Sequence, residues 1–129
     1  MYPPHILVSV LFDTGASGSF ISGNLVHKLK LKRRKLKEPI KVQNQIGGSV
    51  SISICCRLPV SFSRYRFPFD SIVMDLSEFD VILGLDWLTK YKAEVRCAER
   101  IVKVETKLGP IYIYHAMAQK LTEQNFGFL

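Results

Sequence analysis

Cysteine is scarce in this 129-residue chain: Cys55, Cys56 and Cys97 make an odd number, and two of them are adjacent. Adjacent strand residues point to opposite faces, so the pattern offers neither a disulfide framework nor a zinc-ligand spacing. A reducing, cytoplasmic location is the simpler expectation. Long apolar runs are also missing. The longest, Ile6 to Phe12, is interrupted by Ser9 and has no basic residue before it, so it matches neither a membrane span of roughly 20 residues nor a secretory signal. No membrane contact is expected. His5, His27 and His115 are scattered and no His-Glu-x-x-His occurs, which gives no reason to expect a metal. Gly-x-Ser-x-Gly is absent, and Ser17-Gly18-Ser19 is too poor in glycine, and too near an acid, to cradle phosphate. No cofactor is expected. At this length a second lobe does not fit, and 47% hydrophobic with 22% charged residues describes one globular domain with a buried core.

Charge is unevenly placed. The net charge is +7, and the segment from Lys28 to Lys41 alone holds eight basic residues and one acidic, so the remaining ten of each sign cancel. Lys28, Lys30, Lys32, Arg33, Arg34, Lys35 and Lys37 are one reading of a weak nucleic-acid contact. The other reading is a solvated loop or an edge strand whose lysines block edge pairing. No aromatic interleaves for base stacking, which favours the second.

Periodicity organises the rest. Ile6 to Phe12 reads as a strand, and Ser22 as the cap of a short helix in which Leu25, Val26 and Leu29 share a face. Val50, Ile52, Ile54, Cys56, Leu58, Val60 and Phe62 alternate with mostly small or polar residues, as in a long half-buried strand, with Pro59 marking an edge or bulge. Ile40 and Val42 keep the same parity, and Gly47-Gly48 between them predicts a mobile β-hairpin. Further strands are expected over Phe67 to Met74 and Val81 to Leu83, a short helix over Asp86 to Lys92, a hairpin over Glu94 to Val104, and a last strand after Gly109-Pro110. Trp87 and Tyr91, four apart, read as core packing, and Cys97 as a buried structural thiol.

The most informative stretch is Leu11-Phe12-Asp13-Thr14-Gly15-Ala16-Ser17, where an apolar strand delivers one carboxylate to a turn that only small residues make. Taken alone, Asp13 also fits a turn aspartate that accepts backbone hydrogen bonds. Asp86 reads as a helix-start residue, because it lacks a Thr-Gly context. Three segments carry a resemblance: Asp13-Thr14-Gly15 with its flanks, Phe79 to Leu88, and Ala116 to Leu121. Together they resemble the retropepsin-like aspartic proteases of Ty3/gypsy-type LTR retrotransposon polyproteins, the last segment being similar to the connector toward reverse transcriptase.

The resemblance implies an all-β, mainly antiparallel fold: an acid-protease-like closed barrel of a single lobe with one or two short helices. It spans a protease domain over residues 5–106 and a C-terminal strand and connector over 107–129. It also implies an aspartic endopeptidase in which Asp13, Thr14 and Gly15 are catalytic, and Ala16, Ile46, Gly47 and Gly48 contact the polypeptide substrate, the last three in a closing flap. Val81 to Gly84 would thread beneath the catalytic loop. Because the chain holds one Asp-Thr-Gly, the second acid must come from a second copy, making the active site a homodimer interface. The setting implied is intracellular, a virus-like particle included. Family members carry another strand before the catalytic one, whereas only twelve residues precede Asp13 here; an N-terminally truncated piece of a polyprotein is the expectation. An inactive fragment of the same fold, binding peptides or dimerising, is the alternative.

Overall fold

The computed structural model describes residues 8–43, 47–58, 60–62, 64–76 and 78–114. In chain order the elements are β1 (Val10–Phe12), β2 (Phe20–Ser22), α1 (Gly23–Leu29), β3 (Arg33–Gln43), β4 (Ser49–Leu58), β5 (Ser61–Phe62) and β6 (Tyr65–Arg66). They continue with β7 (Phe69–Met74), β8 (Val81–Leu83), α2 (Leu85–Lys90), β9 (Glu94–Arg96), β10 (Ile101–Thr106) and β11 (Gly109–Tyr114).

Three open sheets result, not the closed barrel expected. The largest has the order β1-β8-β2-β7-β4-β3, beside a three-stranded β11-β10-β9 sheet and the β5-β6 ribbon. Closing the large sheet would require β1 to pair with β3, but β1 offers only three residues, and the strand it is paired with in the sheet among the described residues is β8. The core is capped instead by the three-stranded sheet, whose Val102 and Val104 join the same buried cluster as Ile21, Leu83 and Trp87. Pairing is mainly antiparallel, with two parallel exceptions, β1 with β8 and β2 with β7.

Local chemistry explains the helices. Ser22 ends β2 and its Oγ accepts a hydrogen bond from the Leu25 amide at 3.1 Å, satisfying one of the donors a helix start leaves orphaned. Leu25 and Val26 are buried, and Leu29 packs against the core. The helix stops at Lys30, whose φ of 54° is left-handed. In α2 the apolar side carries Trp87, fully buried, with ring centroids of Phe12, Phe62, Phe67 and Tyr91 within 5.1 to 6.0 Å. Clustered rings at these separations add attraction beyond simple area burial.

The basic run forms the outer edge of the sheet. Lys28 to Lys35 leave α1 and enter β3, and all seven residues named above are exposed. Pro39 lies within the register slip that separates the Lys35–Ile54 pairing from Ile40–Ile52, where its missing N–H costs no ladder bond. Beyond the slip β3 and β4 run out as a hairpin, and on both sides of the slip burial departs from the alternation. Ile52 is buried, but Val50 and Ile54, of the same parity, are 47% and 41% exposed. Nothing among the described residues covers this apolar stripe. Nearer the body both faces are covered, so Cys55 and Cys56 are both buried. Cys97, expected inside, is exposed, because it opens the tight β9–β10 turn closed by the Arg100 amide on its carbonyl.

Candidate active site

A helix begins with backbone amides that need acceptors, and the residue capping α2 is Gly84, which has no side chain to supply one. The carbonyls of the loop after β1 supply them. Leu85 N–H donates to Ala16 O at 2.8 Å and Asp86 N–H to Ser17 O at 3.3 Å. The third amide, Trp87 N–H, donates to the Asp86 carboxylate at 2.7 Å, an acid well placed at the positive end of the helix. Loop and helix start therefore hold each other.

Gly84 is the contact point. A Cβ there would lie 2.2 Å from the Gly18 carbonyl oxygen and 2.6 Å from that of Ala16. Only glycine lets the two backbones approach so closely. Ser19, which is 1% exposed, completes the join. Its Oγ accepts from Gly84 N–H at 3.0 Å and donates to Asp86 Oδ1 at 2.6 Å, while its own N–H donates to Asp86 Oδ2 at 3.2 Å.

Asp13 sits at the start of this loop. Its N–H donates to Leu83 O at 2.9 Å, continuing the β1–β8 pairing by one residue, and its carbonyl accepts from Ala16 N–H at 3.2 Å. Carboxylate Oδ1 accepts from Gly15 N–H at 2.9 Å. Among the described residues no donor reaches Oδ2. Thr14 and Gly15 are exposed, and Asp13 and Ala16 are half-buried. The loop thus presents one carboxylate at a surface beside small residues that leave room for a close neighbour.

The other predicted site residues lie elsewhere. Gly47 and Gly48 are exposed at the end of the β3–β4 hairpin, Gly47 with a φ of 91° that favours glycine, and Ile46 lies outside the described residues. Among the described residues no three His, Cys, Asp or Glu side chains gather as a metal would need. Two participants escaped sequence reasoning. Ser19 carried no signal, and Asp86 was legible only as a helix start, since the partners are 67 residues apart. A second long-range tie, Ser9 N–H to Asp80 Oδ2 at 3.0 Å with Asp80 N–H returning to Ser9 O at 3.0 Å, anchors the entry to β1.

The family model described as retroviral aspartyl protease matches residues 4–109, which contain the whole of this arrangement. The chain belongs to the retroviral aspartyl protease family. Among solved structures, the crystal structure of the retroviral protease-like domain of Ddi1 from Leishmania major is similar, with a TM-score of 0.55 and 18% identity. The likeness covers 82% of this chain and 81% of that one, and at that identity it speaks for the fold. No curated protein sequence matches the chain.

Proposed function

We propose that this retroviral aspartyl protease family member is an endopeptidase that works as a homodimer, each copy contributing Asp13. The observation that carries the reading is a single Asp-Thr-Gly whose carboxylate stands at an uncrowded surface on a hydrogen-bonded loop. Peptide hydrolysis needs one group to take a proton from water and another to give one to the substrate. In aspartic proteases generally, two carboxyls about 3 Å apart share one proton because both cannot ionise, and so they do both. Any pH profile belongs to the pair.

In this reading Thr14 and Gly15 shape the approach of the two copies, and Ala16 lies beside the bound polypeptide. The β3–β4 hairpin covers the substrate through Ile46, Gly47 and Gly48. The exposed apolar stripe of Val50 and Ile54 supports that part, since it waits for an apolar neighbour. Processing of a Ty3/gypsy-type retrotransposon polyprotein is supported by the motifs around Asp13 and Gly84 and by the connector-like Ala116 to Leu121. Free thiols at Cys55, Cys56 and Cys97 support a reducing, cytoplasmic setting.

The test is peptide cleavage at mildly acidic pH across a range of protein concentrations. Activity should rise faster than linearly with concentration, and Asp13→Asn should abolish it with the fold intact. Cleavage retained in Asp13→Asn refutes the mechanism. The same exposed stripe favours a second reading, a noncatalytic module that grips extended peptides; an inert wild type that binds peptide would establish it.

A further inference from the structure

Between Asp13 and Ser19 the loop reads Thr-Gly-Ala-Ser-Gly. None of these side chains is large enough to anchor it by packing, and two glycines widen the conformations open to it. Its shape therefore rests on polar ties: the Asp13 amide on Leu83, the Ala16 and Ser17 carbonyls on the first amides of α2, and, at the loop's far end, Ser19. We infer that Ser19 and Asp86 form a positioning clamp that holds the catalytic loop on Gly84 in the shape the paired acids require. The inference rests on the protease reading of Asp13.

The geometry is that of a two-point grip. Both donors of Ser19, its N–H and its hydroxyl, are taken by the two oxygens of one carboxylate at 3.2 and 2.6 Å. The same hydroxyl accepts the Gly84 amide at 3.0 Å, so one buried oxygen ties the loop to both the glycine beneath it and the acid beside it. Hydrogen bonds to an ionised acceptor are the stronger kind. The acid is itself fixed by the Trp87 amide at 2.7 Å, and Trp87 is fully buried. Rigidity is thereby passed from the aromatic core to a loop that has none of its own. A displacement of about 1 Å at a reacting group can cost about 100-fold in rate, so the clamp acts on turnover.

The experiment compares Ser19→Ala, Asp86→Ala, Asp86→Asn and the double alanine variant for kcat, KM, sedimentation and amide hydrogen exchange. Ser19→Ala and Asp86→Ala should each lower kcat about 10- to 100-fold at nearly unchanged KM and with the dimer intact. The double variant should be little worse than either, as expected of two parts of one unit. Asp86→Asn keeps an acceptor for the Ser19 hydroxyl but sets an NH2 against an amide, and should recover part of the loss. The Leu85 and Asp86 amides, bonded to Ala16 and Ser17, should exchange faster while those of β10 do not. Additive losses, or exchange that quickens equally in β10, would overturn the clamp. If the wild type fails to cleave, the protease reading falls and exchange alone decides: selective loosening at Leu85 and Asp86 sustains the clamp, and unchanged exchange overturns it.

Discussion

Replacing Gly84 by alanine adds one methyl group where there is no space for it. The backbone at Gly84, φ −95° and ψ −166°, is extended and open to any residue, so the entire cost is steric. The new Cβ would lie 2.2, 2.6 and 2.8 Å from Gly18 O, Ala16 O and Gly18 C, all backbone atoms that no rotamer can move aside. Relief requires the loop and the helix start to separate, which gives up the Leu85–Ala16 bond at 2.8 Å and the Gly84–Ser19 bond at 3.0 Å. Overpacking costs about 1 to 3 kcal/mol and each lost buried hydrogen bond about 1 kcal/mol, for a total of about 4 kcal/mol. For a domain of this size that lowers Tm by about 15 °C. Gly23→Ala is the control: nothing lies within 4 Å of its added Cβ at the first position of α1, so helix propensity should raise stability by a few tenths of a kcal/mol. Urea denaturation followed by the fluorescence of Trp87, the single tryptophan, measures both. A Gly84→Ala variant within about 1 kcal/mol of wild type would show that the loop and helix are not in the close contact on which the site depends.

Gly15→Ala brings a Cβ to 3.2 Å from Asp13 Oδ1; cleavage should fall several-fold with a Tm change of only a few degrees, and equal activity would refute the tight fit. Trp87→Ala empties the fully buried centre of the aromatic cluster and should cost about 3 to 5 kcal/mol by denaturant titration. Asp70 lies 2.8 Å from Arg34 and 3.4 Å from Arg57. Burial pushes its carboxyl up, but hydrogen bonds and charge from the two guanidiniums outweigh that and hold it below its ordinary 3.8. A carboxyl held low contributes stability above its unfolded value and loses it as the pH falls through the folded one. Asp70→Asn should therefore lose less stability than wild type on acidification below 3.8. With side chains about half exposed, the difference stays under about 1 kcal/mol and fades in high salt; identical acid profiles would refute the pairing.

What the sequence made legible was local. Ser22 announced a cap because its acceptor and the Leu25 amide are three residues apart, and Trp87 and Tyr91 announced packing because a helix puts them on one side. The parity of Ile40, Val42 and Val50 to Leu58 foretold the paired strands on either side of Gly47-Gly48, since strand periodicity survives whether or not the face is covered. Whether it is covered was not legible: Val50 and Ile54 share that parity with buried Ile52 and Cys56 and are exposed. The barrel failed for a related reason. Closure depends on whether β1 meets β3, a property of strand length and edge that no single stretch records. Cys97 looked apolar enough to bury, yet its place at a turn decided otherwise.

Ser19 and Asp86 carry the lesson to the site itself. The bonds that satisfy the first amides of α2 are the same bonds that shape the loop bearing Asp13. Foldedness and loop geometry are consequently one set of contacts at Gly84, where a change must disturb both. They part company at Asp13, whose carboxylate touches only the Gly15 amide among the described residues and can be neutralised without loosening the join beneath it. In the homodimer we propose, a loop so built would lend its acid to a partner without depending on that partner for shape. Dimerisation would then need only to bring two finished halves together, with the cost of ordering the loop met within each chain before the copies meet.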